Sequence, residues 1–288
     1  MVKVTVITPT YRETSQIVAQ AMWLEHQTMV KEDFEWIILD DLYEQRHEEV
    51  ARLATSYRIK HLPSGVDSPY KRPSEAINRG LVRADGELVH FMNDYIELTP
   101  QLLERHWELY QAYGPRVVIG GPLISARCPR CVEASGESWQ DVFPNENTLM
   151  ILCIECRLPM FYHRARVYEV GLNAFEGETW NPHLARLGFW AGRNDSAPLE
   201  CLLDVNGLDE SLDNRGGDHD LITRLLNLGC RKVTDFCVPA IIHAHTRTKG
   251  RPPELEEALV PGNPQWGAVL SGEVWAPNGW SIREARQT

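Results

Sequence analysis

Apolar and polar positions follow two rhythms along the first third of the chain. "VKVTVITPT" (Val2–Thr10) is rich in β-branched residues and ends in Thr-Pro-Thr, a strand entering a loop. "ETSQIVAQAMWLEHQ" has helical spacing, and "FEWIILDD" after it is a buried-strand run closing on two aspartates. "HEEVARLATSY" predicts a helix, "RIKHLP" a strand, and "RPSEAINRGLVRAD" a helix with Pro73 early, where proline is tolerated. "ELVHFMND" reads as a strand. "TPQLLERHWELYQAY" reads as a helix with Thr99 as N-cap and Pro100 at its first position. This alternation predicts an α/β fold, a mainly parallel, doubly wound sheet with helices on both faces. Such sheets bind ligands beyond the carboxyl ends of their strands. Chemistry is therefore expected at Thr8–Arg12, Asp40–Asp41 and Asn93–Tyr95, where polar residues directly follow apolar runs.

After "RVVIGGPLIS" the alternation breaks, and residues 126–160 read as a cysteine-bearing insertion. Residues 247–288 are rich in proline and glycine and predict an extended tail packed on the body. The expected organisation is one domain over 1–246, with a ligand-binding half over 1–98 and a second half over 99–246, followed by that tail.

Charge and cysteine content narrow the function. A net charge of −11 argues against a partner held by bulk electrostatics, as non-specific nucleic-acid binding would be. No apolar run reaches the roughly 20 residues of a membrane span. Met1-Val-Lys leads straight into a strand, which leaves no room for a signal peptide and predicts a cytoplasmic protein with no membrane partner. Seven cysteines suit a reducing compartment. Four of them form a pair of CxxC motifs, Cys128/Cys131 and Cys153/Cys156, separated by 21 residues. Four thiolates at this spacing suit a closed, structural Zn²⁺ site, the alternative being reduced, unligated thiols. Cys201, Cys230 and Cys237 read as core residues.

An ordered series of segments then carries a family resemblance: "VTVITPTYRE", "WIILDD", "SEAINRGLVRADGELVHFMND", "GRNDSAPLECLLDVNGLDESL" and "GGDHDLITRLLNLG". In this order the chain resembles the inverting glycosyltransferases of the family-2 type, which have the GT-A (Rossmann-like) nucleotide-sugar-binding fold. The resemblance implies a nucleotide-sugar donor, usually UDP-linked, a hydroxyl acceptor, and Mn²⁺ or Mg²⁺ at the donor site. It implies that Thr8, Pro9 and Tyr11 wrap the nucleobase and that Asp40 accepts its imide N–H; alternatively, Asp40 and Asp41 cap the next helix. "FMNDY" stands where the family usually has an Asp-x-Asp-like motif, so Asp94 is the expected metal ligand and Asn93 a ribose or sugar contact. Arg72 is a candidate diphosphate partner and Asn78 matches a position near the donor, although Ile77 stands where arginine is common. His243 and His245 lie two apart on one strand face, where the family often supplies a further metal ligand. Trp180 and Trp190 are candidate stacking partners for an acceptor or base, with core packing as the alternative.

Set at about 100° per residue, Leu221, Ile222, Leu225, Leu226 and Leu228 form one apolar stripe with Asp218 near its centre line. Asp220 falls on the opposite side, one turn before Arg224, as an expected surface ion pair. His219, at the stripe's edge, is a candidate acceptor contact. Asp218 aligns with the family's catalytic aspartate, Gly217 replacing the usual preceding glutamate, and a plain N-cap is the alternative. The expected reaction is transfer of a sugar from a nucleotide-diphosphate donor to a soluble hydroxyl acceptor. Alternatives are transfer to modified nucleic-acid bases, non-catalytic nucleotide-sugar binding, and nucleotidyl transfer.

Overall fold

The computed structural model describes residues 1–11, 14–65, 73–121, 123–125, 148–152, 159–163, 174–176, 194–212, 217–235, 238–242 and 278–288. Four central strands follow the predicted alternation: β1 (Val4–Thr10), β2 (Phe34–Asp40), β3 (Arg58–Pro63) and β4 (Leu88–Phe91), with helices α1 (Thr14–Glu25), α2 (Tyr43–Val50) and α3 (Pro73–Arg83) between them. Then come β5 (Ile96–Leu98), α4 (Leu102–Tyr113), β6 (Val117–Gly120), β7 (Leu123–Ser125), β8 (Thr148–Leu152), β9 (Pro159–His163) and β10 (Ala174–Glu176). The last elements are β11 (Asp195–Pro198), α5 (Leu199–Asp204), α6 (Gly217–Asn227), β12 (Arg231–Asp235), β13 (Ala240–Ile242) and α7 (Ile282–Ala285).

The main sheet has the order β10-β12-β6-β11-β4-β1-β2-β3. β4, β1, β2 and β3 are mutually parallel, as are β12 and β6, whereas β11 and β10 run antiparallel to their neighbours. The chain goes outward from β1 through β2 to β3, then crosses by α3 to β4 on β1's other side. The carboxyl ends of β1 and β4 thus form a topological switch point, where open α/β sheets leave a crevice for a ligand. Two smaller groups, β5-β13-β7 and β8-β9, complete the described strands.

Strand alternation feeds a core on each face. Val4, Val6, Trp36 and Ile38 pack with α1 and α4, whereas Ile7, Ile37, Leu39, Val89 and Phe91 pack with α3, α5 and α6. The second core also buries Ile282 of α7, so the end of the tail is a short helix seated on the body. Asn206 and Asn278 fasten it: the Asn206 amide donates to Trp280 O at 2.7 Å and that of Asn278 to Leu208 O at 3.0 Å.

One predicted cap fails. α4 starts at Leu102, and Thr99 donates its hydroxyl to Pro239 O at 2.9 Å, next to β13. The hydroxyl is diverted to a strand that sequence spacing cannot bring into view. Cys201 and Cys230 are buried in the core as expected. Cys128, Cys131, Cys153, Cys156 and Cys237 lie outside the described residues, though β8 and β9 pair antiparallel on either side of the second CxxC motif. No helix among the described residues is long and apolar enough to cross a membrane.

Candidate functional site

Thr10, the last residue of β1, organises the switch point. Its carbonyl accepts the N–H of Asp41 at 3.0 Å, and its hydroxyl donates to Asp94 Oδ2 at 3.0 Å. The loop after β4 is fixed from the same side, with Met92 N bonded to Ile7 O and Gln20 Nε2 donating to Asn93 O at 2.8 Å. Asn93 Nδ2 in turn donates to the Tyr95 hydroxyl at 3.0 Å. Asp94 is 3% exposed and Asp41 is half-buried. Burial raises the Asp41 carboxyl above its ordinary range; a Ser64 hydrogen bond and Arg46 oppose the shift, and the Asp40 and Asp94 charges add to it. Two carboxylates therefore stand close enough to repel beside the crevice. Thr10 falls within the expected Thr8–Arg12 stretch, but its bond to Asp94 joins strand ends 84 residues apart, which sequence spacing does not show.

Thr8 is fully buried one step inward, where its hydroxyl accepts the Trp36 indole N–H at 2.8 Å. That commits its hydroxyl within the core. Pro9 and Tyr11, by contrast, are half-buried at the strand's end.

Asp40 is more committed than its sequence position suggests. Its Oδ1 accepts from Leu42 N at 2.8 Å and Arg46 Nη2 at 2.5 Å. Its Oδ2 accepts from Arg46 Nε at 2.6 Å and His61 Nε2 at 2.8 Å. Burial alone would raise this carboxyl, but the His61, Arg46 and Leu42 bonds outweigh it and hold it below the usual range. An ionised carboxylate has about four acceptor sites, so all are filled. A nucleobase N–H reaches Asp40 only by displacing His61 or Arg46. The Leu42 bond closes a turn before α2, whose N-cap is Leu42 with no side-chain cap bond, so the helix-capping alternative does not hold for Asp40 either. Arg46 and His61 were invisible to the sequence reading, because only the fold brings α2 and β3 to the end of β2. Asp40→Asn should lower stability by roughly 3–5 kcal/mol, since it strands a guanidinium that is 4% exposed. Urea denaturation measures this; a loss below about 1 kcal/mol would rule out the buried pair.

Asn78 likewise has structural employment. Fully buried on α3, it donates to Leu208 O and Glu210 Oε1 and accepts from Leu208 N, all at 2.8–2.9 Å. Its amide is filled by the Gly207–Glu210 turn, and this replaces the expected donor contact. Glu210 Oε2 also takes the Trp280 indole N–H at 3.1 Å.

The helix α6 starts at Gly217 and carries the expected apolar stripe, with Leu221, Ile222 and Leu225 fully buried. It leads into β12, which is parallel to β6, so the start of this crossover helix lies at the carboxyl edge. A Cβ built on Gly217 would sit 3.3 Å from Ser74 Oγ at the start of α3, so the two helix starts meet. Asp218 is half-buried in that first turn, and His219 takes the next position. The Asp220–Arg224 pair forms as expected but not on the surface: the residues are 2% and 1% exposed. α6 is covered on its second face by the segment after α5, where Arg224 Nη1 donates to Val205 O at 2.6 Å.

Arg72, Trp180, Trp190, His243 and His245 lie outside the described residues. Among the described residues, no group of three or more His, Cys, Asp or Glu is arranged to hold a metal ion.

Solved structures share this architecture. The chain is similar to S. aureus TarS 1–349 in complex with UDP-GlcNAc, with a TM-score of 0.55 and 14% identity over 91% of this chain and 62% of that one. It is similar to S. aureus TarS 1–349 in complex with UDP, with a TM-score of 0.51 and 16% identity over 84% of this chain and 60% of that one. It is also similar to GalNAc-T7 with UDP, GalNAc and Mn²⁺, with a TM-score of 0.57 and 10% identity over 86% of this chain and 45% of that one. The chain thus spans less than two thirds of each of these chains, and at such identities the likeness establishes the fold, a GT-A-like α/β sheet. No curated protein matches the sequence. The family model of glycosyl transferase family 2 matches residues 5–148, half of the 288, from β1 through the switch-point loop and into β8. The chain belongs to glycosyl transferase family 2.

Proposed function

We propose that the protein is an inverting glycosyltransferase that moves a sugar from a nucleotide diphosphate, UDP in the first instance, to a hydroxyl of a soluble acceptor. The observation that carries this reading is the convergence on one sheet edge of Thr10, Asp41 and Asp94 at the β1/β4 switch point and of the helix start bearing Asp218. Pro9 and Tyr11 flank the nucleobase.

Asp41 and Asp94 fit a divalent cation such as Mn²⁺ or Mg²⁺. They are hard oxygen donors, and their mutual repulsion is relieved by positive charge. His243 or His245 would complete the set. When bound, such a cation neutralises charge developing on the leaving diphosphate. The Asp218 carboxylate accepts the acceptor hydroxyl's proton while that oxygen bonds to the anomeric carbon. The bond from that carbon to the diphosphate oxygen breaks on the opposite face, and its electron pair leaves with the phosphate. No nucleophilic side chain is needed for a single displacement. The spacing of Cys128, Cys131, Cys153 and Cys156 supports structural zinc.

Isothermal calorimetry against UDP-glucose, UDP-galactose, UDP-GlcNAc and GDP-mannose, with and without Mn²⁺, tests the donor half. One donor should bind, more tightly with Mn²⁺. Heat from none of them in either condition would overturn it.

A further inference from the structure

Two opposite charges sealed inside a small helix interface are a poor way to gain stability. Removing them from water costs several kcal/mol per ion, and well-packed apolar residues of the same volume are often as stable or more so. Asp220 and Arg224 pay that desolvation in full: Arg224 Nε and Nη2 both donate to Asp220 Oδ2, at 2.9 and 2.5 Å. Asp220 Oδ1 is buried with no hydrogen-bond partner among the described residues. Burial raises the Asp220 carboxyl, Arg224 opposes the shift, and the Asp209 charge adds to it.

Direction is what the pair supplies in return. A guanidinium is a rigid fork. Here two of its nitrogens grip the first turn of α6 and the third holds Val205 O at 2.6 Å, just past α5. That turn is therefore fixed to the neighbouring segment in rotation as well as in distance. Its other side is fixed by close approach, since Gly217 meets Ser74 with room for no more than a tight Cβ contact. Asp218 lies between these two restraints, one residue from Gly217 and two from Asp220.

We infer that the Asp220–Arg224 pair, with Gly217 seated on Ser74, positions the Asp218 carboxylate for proton transfer. The inference rests on Asp218 being the base. It also accounts for glycine at 217, because a larger residue would push the helix start away from α3.

The test uses the full chain, the same four nucleotide sugars with Mn²⁺, and three variants: Asp220→Asn, Arg224→Lys and the double apolar variant Asp220→Leu/Arg224→Met. Misplacing a catalytic group by about 1 Å costs about 100-fold in rate. Donor turnover per folded molecule should fall about 10- to 100-fold in all three, with donor KM changed less than about twofold. Lysine should not rescue, since an ammonium cannot hold the carboxylate and Val205 O in the same forked geometry. The double variant separates positioning from folding: it should melt at or near the wild-type temperature and still lose kcat. Wild-type kcat in that variant overturns the inference. Failure of the base assignment shows differently, as full turnover in Asp218→Asn.

Discussion

Asp218→Asn should reduce sugar transfer by about 10²–10⁴-fold, the contribution of a positioned general base, while leaving the donor dissociation constant within about threefold. The substitution is nearly isosteric, so the half-buried first turn of α6 keeps its shape. An amide cannot accept the acceptor's proton, so the loss falls on kcat. Removing a negative charge from a helix start costs roughly 0.3–1 kcal/mol of stability, too little to unfold the chain. The structure puts Asp218 second in α6 and so inside the helix, where the plain N-cap alternative does not apply; a purely structural role in the first turn predicts the reverse, with activity unchanged in the asparagine variant. Steady-state rates together with calorimetric donor binding on the same preparations distinguish the two.

Mild acid should destabilise the protein well above the carboxylate range. His90 on β4 and His106 on α4 are both fully buried, and each Nδ1 bonds the single Ser196 hydroxyl, at 2.9 and 2.8 Å. Their rings meet edge to face at 5.4 Å, and neither Nε2 has a hydrogen-bond partner among the described residues. Burial pushes the His90 imidazole well below its ordinary range, with His106 adding to the effect. Burial likewise pushes His106 down to about 3, with Arg105 adding to it. These are bases whose folded-state pKa is depressed, so the unfolded chain takes up protons that the folded chain refuses. Their stabilising contribution is complete above about pH 6.5 and is lost as pH falls below it, until the folded-state values are reached. A histidine that stays neutral in the folded chain contributes a slope of about 1.4 kcal/mol per pH unit. His106, held down to about 3, accounts for roughly 2 kcal/mol lost by pH 5, and His90 adds in the same direction. Urea midpoints at pH 7.5, 6 and 5 measure the slope, and His106→Gln should roughly halve it. A stability independent of pH over that range would show that the pair is not held neutral.

Much of the fold was legible because apolar rhythm carries it. The runs that became β1, β2 and β4 are buried on both faces, and parallel strands of that kind announce themselves as continuous apolar stretches. The strand ends could be read as site positions for the same reason: Asp94 and Asp41 stand where an apolar run stops. Helix α6 was legible through its leucine stripe, which also places Asp218 in its first turn. What escaped depends on partners distant in sequence. Asp40 looked available because Arg46 and His61 reach it only through the packing of α2 and β3. Asn78 looked like a ligand contact because the turn that consumes its amide lies 130 residues away. Asp220 reads as exposed because the sequence marks one apolar stripe on the helix, whereas the segment after α5 covers the other side. Burial of a polar residue requires a partner, and the partner is the part a linear pattern does not contain.

The most direct test of the account is proton NMR of the four nucleotide sugars incubated with the protein and Mn²⁺, water standing in for the acceptor. The account predicts that one donor is consumed, that the sugar first appears with the inverted anomeric configuration, and that Asp218→Asn leaves that donor intact. Release of a sugar with retained configuration, or consumption of none of the donors, would contradict it.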